Sequence, residues 1–246
     1  MCAEVDTMLG EILAALERTR LADNTYVIFT SDHGENALEH RQFYKMNHYE
    51  SSARVPLIIA GPDVQRRSEV TAPVSLVDIY PTLMDMANIA APDGLDGHSL
   101  MPELIGTSSN RPDWVLSEFH DTTLNTGTFM LRRGDWKYIV YVGHPSQLFN
   151  LKDDPDEVWN RAGTESAVVG EMDALLRRIV DYKAVDAKVK AYDRGSFAQW
   201  RDEQQKAKTY KETMARIFSG WDDLKPEDVV PWKDDDEARI LAWLHA

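Results

Sequence analysis

Val5, Met8, Leu9, Ile12, Leu13 and Leu16 recur at three- and four-residue spacing, the period of a helix with one apolar face, and predict a helix from the start of the chain to about Arg20. Ala22-Asp23-Asn24 then reads as a turn. Thr25 to Thr30 is a β-branched and aromatic run that predicts a buried strand, and Ser31-Asp32-His33-Gly34-Glu35 follows it at once. Val55 to Ala60 predicts a second strand, ending at Gly61-Pro62. From Ser75 to Ala87 the pattern turns helical, with Leu76, Ile79, Leu83 and Met86 on one face. Pro81 lies inside that pattern and predicts a kink or a shifted boundary, because it lacks an N–H and crowds the preceding turn. Strands alternating with helices predict an α/β layer with a largely parallel sheet.

The pattern changes after about residue 105. Trp114 to Phe119, Thr128 to Arg132, Trp136 to Tyr141 and Gln147 to Leu151 are short β-prone runs broken by Gly127, Gly134 and Gly143-His144-Pro145. They predict an antiparallel subdomain. From about Val168 the chain is helix-prone, polar and rich in Trp, with Ala174, Leu175, Ile179 and Val180 marking a packed helix. Asp234-Asp235-Asp236-Glu237 precedes Ile240, Leu241 and Trp243, which places acids at a helix N-terminus, where the macrodipole favours them. Two domains are expected, 1–105 and 106–246.

Charge narrows the partners. The 246 residues carry 41 Asp+Glu against 27 Lys+Arg, a formal net charge of -14, which disfavours coating nucleic acid, since phosphate neutralisation needs a basic surface. No apolar run approaches the ~18 residues of a bilayer-spanning helix. Cys2 is the only cysteine, which excludes an internal disulfide and a cysteine-based zinc site; on the first helix it is expected to be a small packing residue. The opening residues lack the basic and apolar regions of a signal peptide, and the chain has no Asn-x-Ser/Thr sequon.

Asp32 and His33 hold the most chemistry. They lie just past the carboxyl end of a predicted strand, where open α/β sheets place ligand sites. A carboxylate beside an imidazole offers a divalent cation two ligands; carboxylate oxygen favours Ca²⁺ or Mg²⁺, whereas imidazole tilts toward a transition metal. The plainer reading makes Asp32 a turn cap and His33 an ordinary loop residue. The block Glu39 to Glu50 shifts the balance, because Arg41, Lys45 and Arg54 concentrate cationic charge in an otherwise acidic chain. Lys45 near a metal-bound anion would supply a point charge; Arg54 is expected to pair with a nearby glutamate.

These residues resemble the C-terminal half of a formylglycine-dependent sulfatase. The resemblance rests on Ser31-Asp32-His33-Gly34-Glu35, on Lys45 with Tyr49-Glu50, and on Arg54-Val55-Pro56-Leu57-Ile58. Leu76 to Leu83, Leu95 to Leu100, Trp136-Lys137-Tyr138, and Leu148 to Leu151 running into Asp154-Pro155-Asp156-Glu157 extend it over roughly residues 1 to 162. Glu39 to Met46 and Ser117 to His120 most resemble the branch that removes 2-sulfate from glucuronate in glycosaminoglycans.

The resemblance implies an α/β fold: the C-terminal part of an alkaline-phosphatase-like α/β core, with a smaller antiparallel-sheet α+β subdomain and a helical tail. It implies Ca²⁺ at Asp32 and His33, and Lys45 contacting both the sulfate and the nucleophile hydroxyl. His40 and His120 would line the sugar pocket; equally, His40 would support a neighbouring group and His120 would anchor the subdomain edge. The implied partner is a sulfated glycan or small sulfate ester, and the implied compartment is lysosomal, secreted or periplasmic.

One departure is large. Cys2 is followed by Ala3-Glu4-Val5-Asp6 and does not match the Cys-x-Pro/Ala-x-Arg sequence that is oxidised to formylglycine. The paired upstream aspartates of the family's metal site are absent too. The chain is therefore expected to be a portion lacking the nucleophile half, inactive by itself, with an open sheet edge. Two rival readings stand: a phosphonate or phosphate monoester hydrolase of the same superfamily, and a non-catalytic remnant that keeps the fold.

Overall fold

The computed structural model describes residues 2–120, 124–219 and 232–245, which group into two compact units, Met1–Ile179 and Val180–Ala246. Among the described residues no helix is long and apolar enough to cross a membrane.

In the first unit, the opening periodicity forms helix α1 (Cys2–Thr19). Its apolar side chains Val5, Met8, Ile12 and Leu13 are exposed, and so is Cys2, which therefore does not pack as expected. Strand β1 (Val27–Thr30) leads into the Asp32–His33 loop. A small hairpin follows, β2 (Asn36–Ala37) with β3 (Phe43–Tyr44), then the one-turn helix α2 (Glu50–Ala53) and strand β4 (Leu57–Ala60).

β1 and β4 pair antiparallel, with Val27 opposite Ala60 and Thr30 opposite Leu57. The largely parallel layer expected from the sequence is thus corrected: every strand pairing among the described residues is antiparallel. The reason is the connection. A parallel neighbour needs a crossover of a dozen or more residues, usually a helix packed on the sheet face. Residues 31–56 instead form a hairpin and a single helical turn, which return the chain in the opposite direction. Each of β1 and β4 has no other strand partner among the described residues, and Ile58 of β4 faces outward.

The expected helix at Ser75 to Ala87 begins with a 3-10 turn and becomes α3 (Ile79–Met86), followed by α4 (Met101–Leu104). Pro81 sits in the first turn of α3, where a missing N–H costs no intrahelical bond. Asp78 ties this region together. Its carboxylate accepts from Ser75 N at 2.8 Å, His98 N at 2.9 Å and Arg111 Nη2 at 2.9 Å. Two sequence blocks of the resemblance therefore meet at one buried carboxylate. Gly97 is required beside it, since a Cβ there would come within 2.1 Å of the Val77 carbonyl oxygen.

Strands β5 (Trp114–Phe119), β6 (Thr128–Arg133), β7 (Trp136–Tyr141) and β8 (Gln147–Asn150) form an antiparallel meander in that order. A two-residue turn, Gly134-Asp135, joins β6 to β7, with Gly134 at φ 55°. Phe129, Leu131, Ile139, Leu148 and Phe149 are essentially inaccessible and make this sheet the main core. Helix α5 (Ser166–Ile179) packs on β7 and buries Met172, Leu175 and Leu176.

The second unit contains α6 (Tyr182–Lys206), α7 (Tyr210–Ser219) and α8 (Asp234–Leu244), the last with its four acids in the first turn as expected. Phe197, Trp200, Tyr210, Trp232 and Trp243 form a chain of edge-on and tilted ring contacts. Arg201 Nη2 pairs with Glu237 Oε1 at 2.5 Å beside them.

Candidate functional site

The end of β1 and the Lys45 segment after β3 converge. Lys45 Nζ lies 2.5 Å from His33 Nε2, and Asp32 Oδ2 lies 3.3 Å from the same nitrogen. Three groups singled out in the sequence thus share one point in space. His33 Nδ1 is 2.8 Å from the Gly34 carbonyl oxygen. A carbonyl only accepts, so Nδ1 carries the proton and Nε2 presents its lone pair to the Lys45 ammonium.

The Asp32 side chain is 82% exposed and open to an incoming ligand. Its carboxylate accepts from the His33 N–H at 3.0 Å, and that bond holds its pKa below the ordinary carboxylate value against the opposing effect of desolvation. It is therefore ionised at neutral and mildly acid pH, as a cation ligand must be. Carboxylate oxygen and imidazole nitrogen are compatible donors for one divalent cation. They are two of the six or more that Ca²⁺ takes, and no group of three or more metal-binding side chains occurs among the described residues.

Behind the site stands α2. Ser52 is buried and bonds both flanks: its carbonyl accepts from Gly34 N at 2.8 Å, and its hydroxyl donates to the Lys45 carbonyl at 2.5 Å. A Cβ at residue 34 would lie 2.0 Å from the Ser51 carbonyl oxygen, so only glycine permits this approach. Asn36 is fully buried and links the Ser51 hydroxyl to the Tyr44 carbonyl.

α2 is in turn fastened to the four-stranded sheet. Lys137 Nζ on β7 lies 2.8 Å from Glu50 Oε1 and 2.8 Å from Glu157 Oε1, and Glu157 Oε2 accepts from Glu50 N at 2.6 Å. The Lys137 and Glu157 side chains are each 1% exposed. Arg54 pairs with Glu50 at 3.9 Å, as expected of it.

The two remaining histidines sit apart from that trio. His40 stacks flat on Tyr49, ring centroids 3.7 Å apart, and its backbone is left-handed at φ 53°. Tyr49 is fixed by Gln147, which also takes a bond from Tyr141 at 3.1 Å. His120 contacts Phe129 edge-on and lies 3.8 Å from Glu118. These contacts are those of an anchor at the end of β5; none of them reaches Asp32, His33 or Lys45.

Sequence reasoning passed over His48, Ser52 and the pairing of Lys137 with Glu50 and Glu157. A lysine inside the apolar run Trp136-Lys137-Tyr138-Ile139-Val140 was a signal, because a buried ammonium requires acidic partners. His48 Nε2 bonds the Thr128 hydroxyl at 3.1 Å, and that hydroxyl donates onward to the Phe119 carbonyl at 3.2 Å. Burial pushes its pKa down from 6.5 to about 4, with Lys137 and His120 adding repulsion. The group is neutral when folded but gains a proton when unfolded, so stability is intact above pH 6.5 and falls as the pH drops toward 4. The expected loss is about 3 kcal/mol. Denaturant titrations across that window check it: His48→Gln should flatten the slope, and equal slopes in parent and variant would contradict the assignment.

The sulfatase family model matches residues 1–89. Arylsulfatase K of Gallus gallus is 46% identical over 235 residues, an alignment covering 92% of this chain and 44% of that protein. The chain thus spans less than half the length of the curated relatives it matches. Among solved structures, a 2-O GAG sulfatase superposes with a TM-score of 0.68 at 31% identity, over 75% of this chain and 42% of that one. A phosphonate monoester hydrolase of Agrobacterium radiobacter gives 0.65 at 33% identity, over 72% and 39% respectively.

Proposed function

Because the chain belongs to the sulfatase family, we propose that it serves in hydrolysis of a sulfate ester on a sulfated sugar. In this reading it provides the half-site that holds the sulfate group. The observation that carries it is the meeting of the Lys45 ammonium, at 2.5 Å, and the Asp32 carboxylate, at 3.3 Å, around one nitrogen of the His33 ring. The sugar is inferred from the 46% identity to arylsulfatase K and the likeness to a 2-O GAG sulfatase.

The roles follow from the chemistry of each group. Asp32 and His33 would hold a divalent cation, Ca²⁺ by the family pattern, together with ligands from outside the described residues, with His33 Nε2 giving its one lone pair to the ion in place of the Lys45 ammonium. Such an ion, when bound, draws charge from the sulfate oxygens. Lys45 has three N–H donors, and the one that meets His33 here would be released when Nε2 takes the ion, so its ammonium can face an oxyanion and stabilise charge that grows as the S–O bond breaks. His33, fixed through Nδ1 by the Gly34 carbonyl, presents Nε2 in a set direction. His40, held flat by Tyr49, and His120 would border the sugar. The sequence holds no formylglycine motif, so the nucleophile comes from elsewhere in the working enzyme.

A phosphoryl reading has its own support, since the phosphonate monoester hydrolase likeness is as strong as that to the sulfatase. Relative turnover of aryl sulfate and aryl phosphate separates the two. The 246-residue chain alone is expected to turn over neither. Joined to a nucleophile-bearing N-terminal half, it should prefer the sulfate. Preference for phosphate would overturn the sulfatase reading, and robust turnover by the isolated chain would overturn the half-site reading.

A further inference from the structure

We propose that Ser52 is a positioning residue that sets the contact between His33 and Lys45. This rests on the reading above that those two side chains act together. Ser52 touches neither side chain and acts through their backbones.

The geometry is specific. The His33 segment leaves β1, the Lys45 segment leaves β3, and no ladder hydrogen bond joins the two at the site itself. Ser52 spans the gap with two different atoms: its carbonyl oxygen takes the N–H of Gly34, one residue past His33, and its hydroxyl gives its proton to the carbonyl of Lys45. Among the described residues, no other side chain hydrogen-bonds the Lys45 carbonyl. The neighbouring link through Ser51 and Asn36 ends on Tyr44 and holds the hairpin register, and the Asn47 N–H that also reaches the Lys45 carbonyl at 2.8 Å is a local bond that does not join it to the His33 segment.

Position matters because Lys45 is long and exposed, so its ammonium is placed by its backbone and by His33 alone. A shift of one ångström or so in a charge-stabilising group is enough to cost catalysis dearly. Ser52 is itself immobile. It is 3% exposed and lies on α2, whose first residue is tied down by Glu157 and Lys137. Without the hydroxyl, the Lys45 carbonyl keeps only the local bond from Asn47 N at 2.8 Å, which does not tie it to the His33 segment, so the Lys45 peptide is free to shift and to take the side chain with it.

The test is the nitrogen resonance of His33 Nε2 in the isotope-labelled full chain, read at alkaline pH where imidazoles are neutral. Lys45→Ala defines the signal with no ammonium present. Ser52→Ala is expected to move the resonance most of the way to that position, and Ser52→Thr, which keeps the hydroxyl, to restore it. Leu176→Ala, a core truncation in α5 remote in sequence, serves as a control for general loosening and should leave it in place. If Ser52→Ala does not fold, Ser52→Cys, a weaker donor, should give an intermediate shift. An unmoved signal in Ser52→Ala or Ser52→Cys, with a moved one in Lys45→Ala, overturns the role of Ser52 and leaves the His33–Lys45 pair intact. A signal unmoved even in Lys45→Ala overturns the pair and the functional reading with it.

Discussion

Lys137→Met is expected to lower the stability of the chain by about 3–5 kcal/mol, the range for breaking a buried ion pair by removing one partner. The substitution is close in shape, so packing is nearly kept. What changes is charge: Glu157, 1% exposed, would face the interior without a counter-ion, while Glu50, 22% exposed at the start of α2, would keep only its longer pairing with Arg54 at 3.9 Å. Glu157 cannot regain water without opening the contact between α2 and the sheet. Glu157 also receives the Glu50 N–H, so that opening would release α2, which lies behind the Asp32–His33 loop, as well. A denaturant midpoint shifted by this amount at unchanged slope is the expected reading. Replacing Lys137, Glu50 and Glu157 together with apolar residues of similar volume should recover much of the loss, because no orphaned charge remains. A single variant within about 1 kcal/mol of the parent would show that water already reaches the cluster.

The strands of the four-stranded sheet were legible because their chemistry is local. β5 and β7 fall where Trp114–Phe119 and Trp136–Tyr141 were expected, since β-branched and aromatic runs are cut there by glycines and prolines that fix turns. α1 and α8 were legible from period and from the placement of acids. The β2–β3 hairpin was not. Its strands are two residues long, and the turn is made by Leu38, His40 and Arg41 at positive φ, residue types that carry no turn signal. The direction of β4 was misread because alternation of strand and helix says nothing of whether a connection crosses the sheet face or doubles back; residues 31–56 are long enough for either, and they fold as a hairpin and a helical turn.

The candidate site was legible in part for a similar reason. Asp32, His33 and Lys45 announce themselves by side-chain chemistry, and the structure brings them together. His40 and His120 came only from the resemblance, as sugar-pocket residues or equally as a support and an anchor, and the contacts seen for them are with Tyr49, Phe129 and Glu118. Ser52 could not have been found this way. Half of its role belongs to its backbone carbonyl, which every residue has, and the other half to a hydroxyl no different from that of Ser51. Glu50, Lys137 and Glu157 lay in three separate blocks, and only the fold makes them neighbours.

The second large effect concerns Lys45. Removing one preorganised charge-stabilising donor lowers kcat by about 10²–10³. Lys45→Ala should fall in that range, because its ammonium is the cation nearest to Asp32 and His33 among the described contacts. Lys45→Arg should recover little. A planar fork that bonds His33 cannot present its remaining N–H groups to the same point as a compact ammonium. Fold stability should be almost untouched, since the side chain is exposed and its partner His33 stays solvated in part. Aryl sulfate turnover by the chain joined to its nucleophile-bearing half, parent against Lys45→Ala at saturating substrate, is the most direct measurement of whether these three residues form one oxyanion site. A fall in kcat of two to three orders of magnitude, with an unchanged unfolding midpoint, is the result expected; an unchanged kcat would mean that the sulfate binds somewhere other than beside His33 and Lys45.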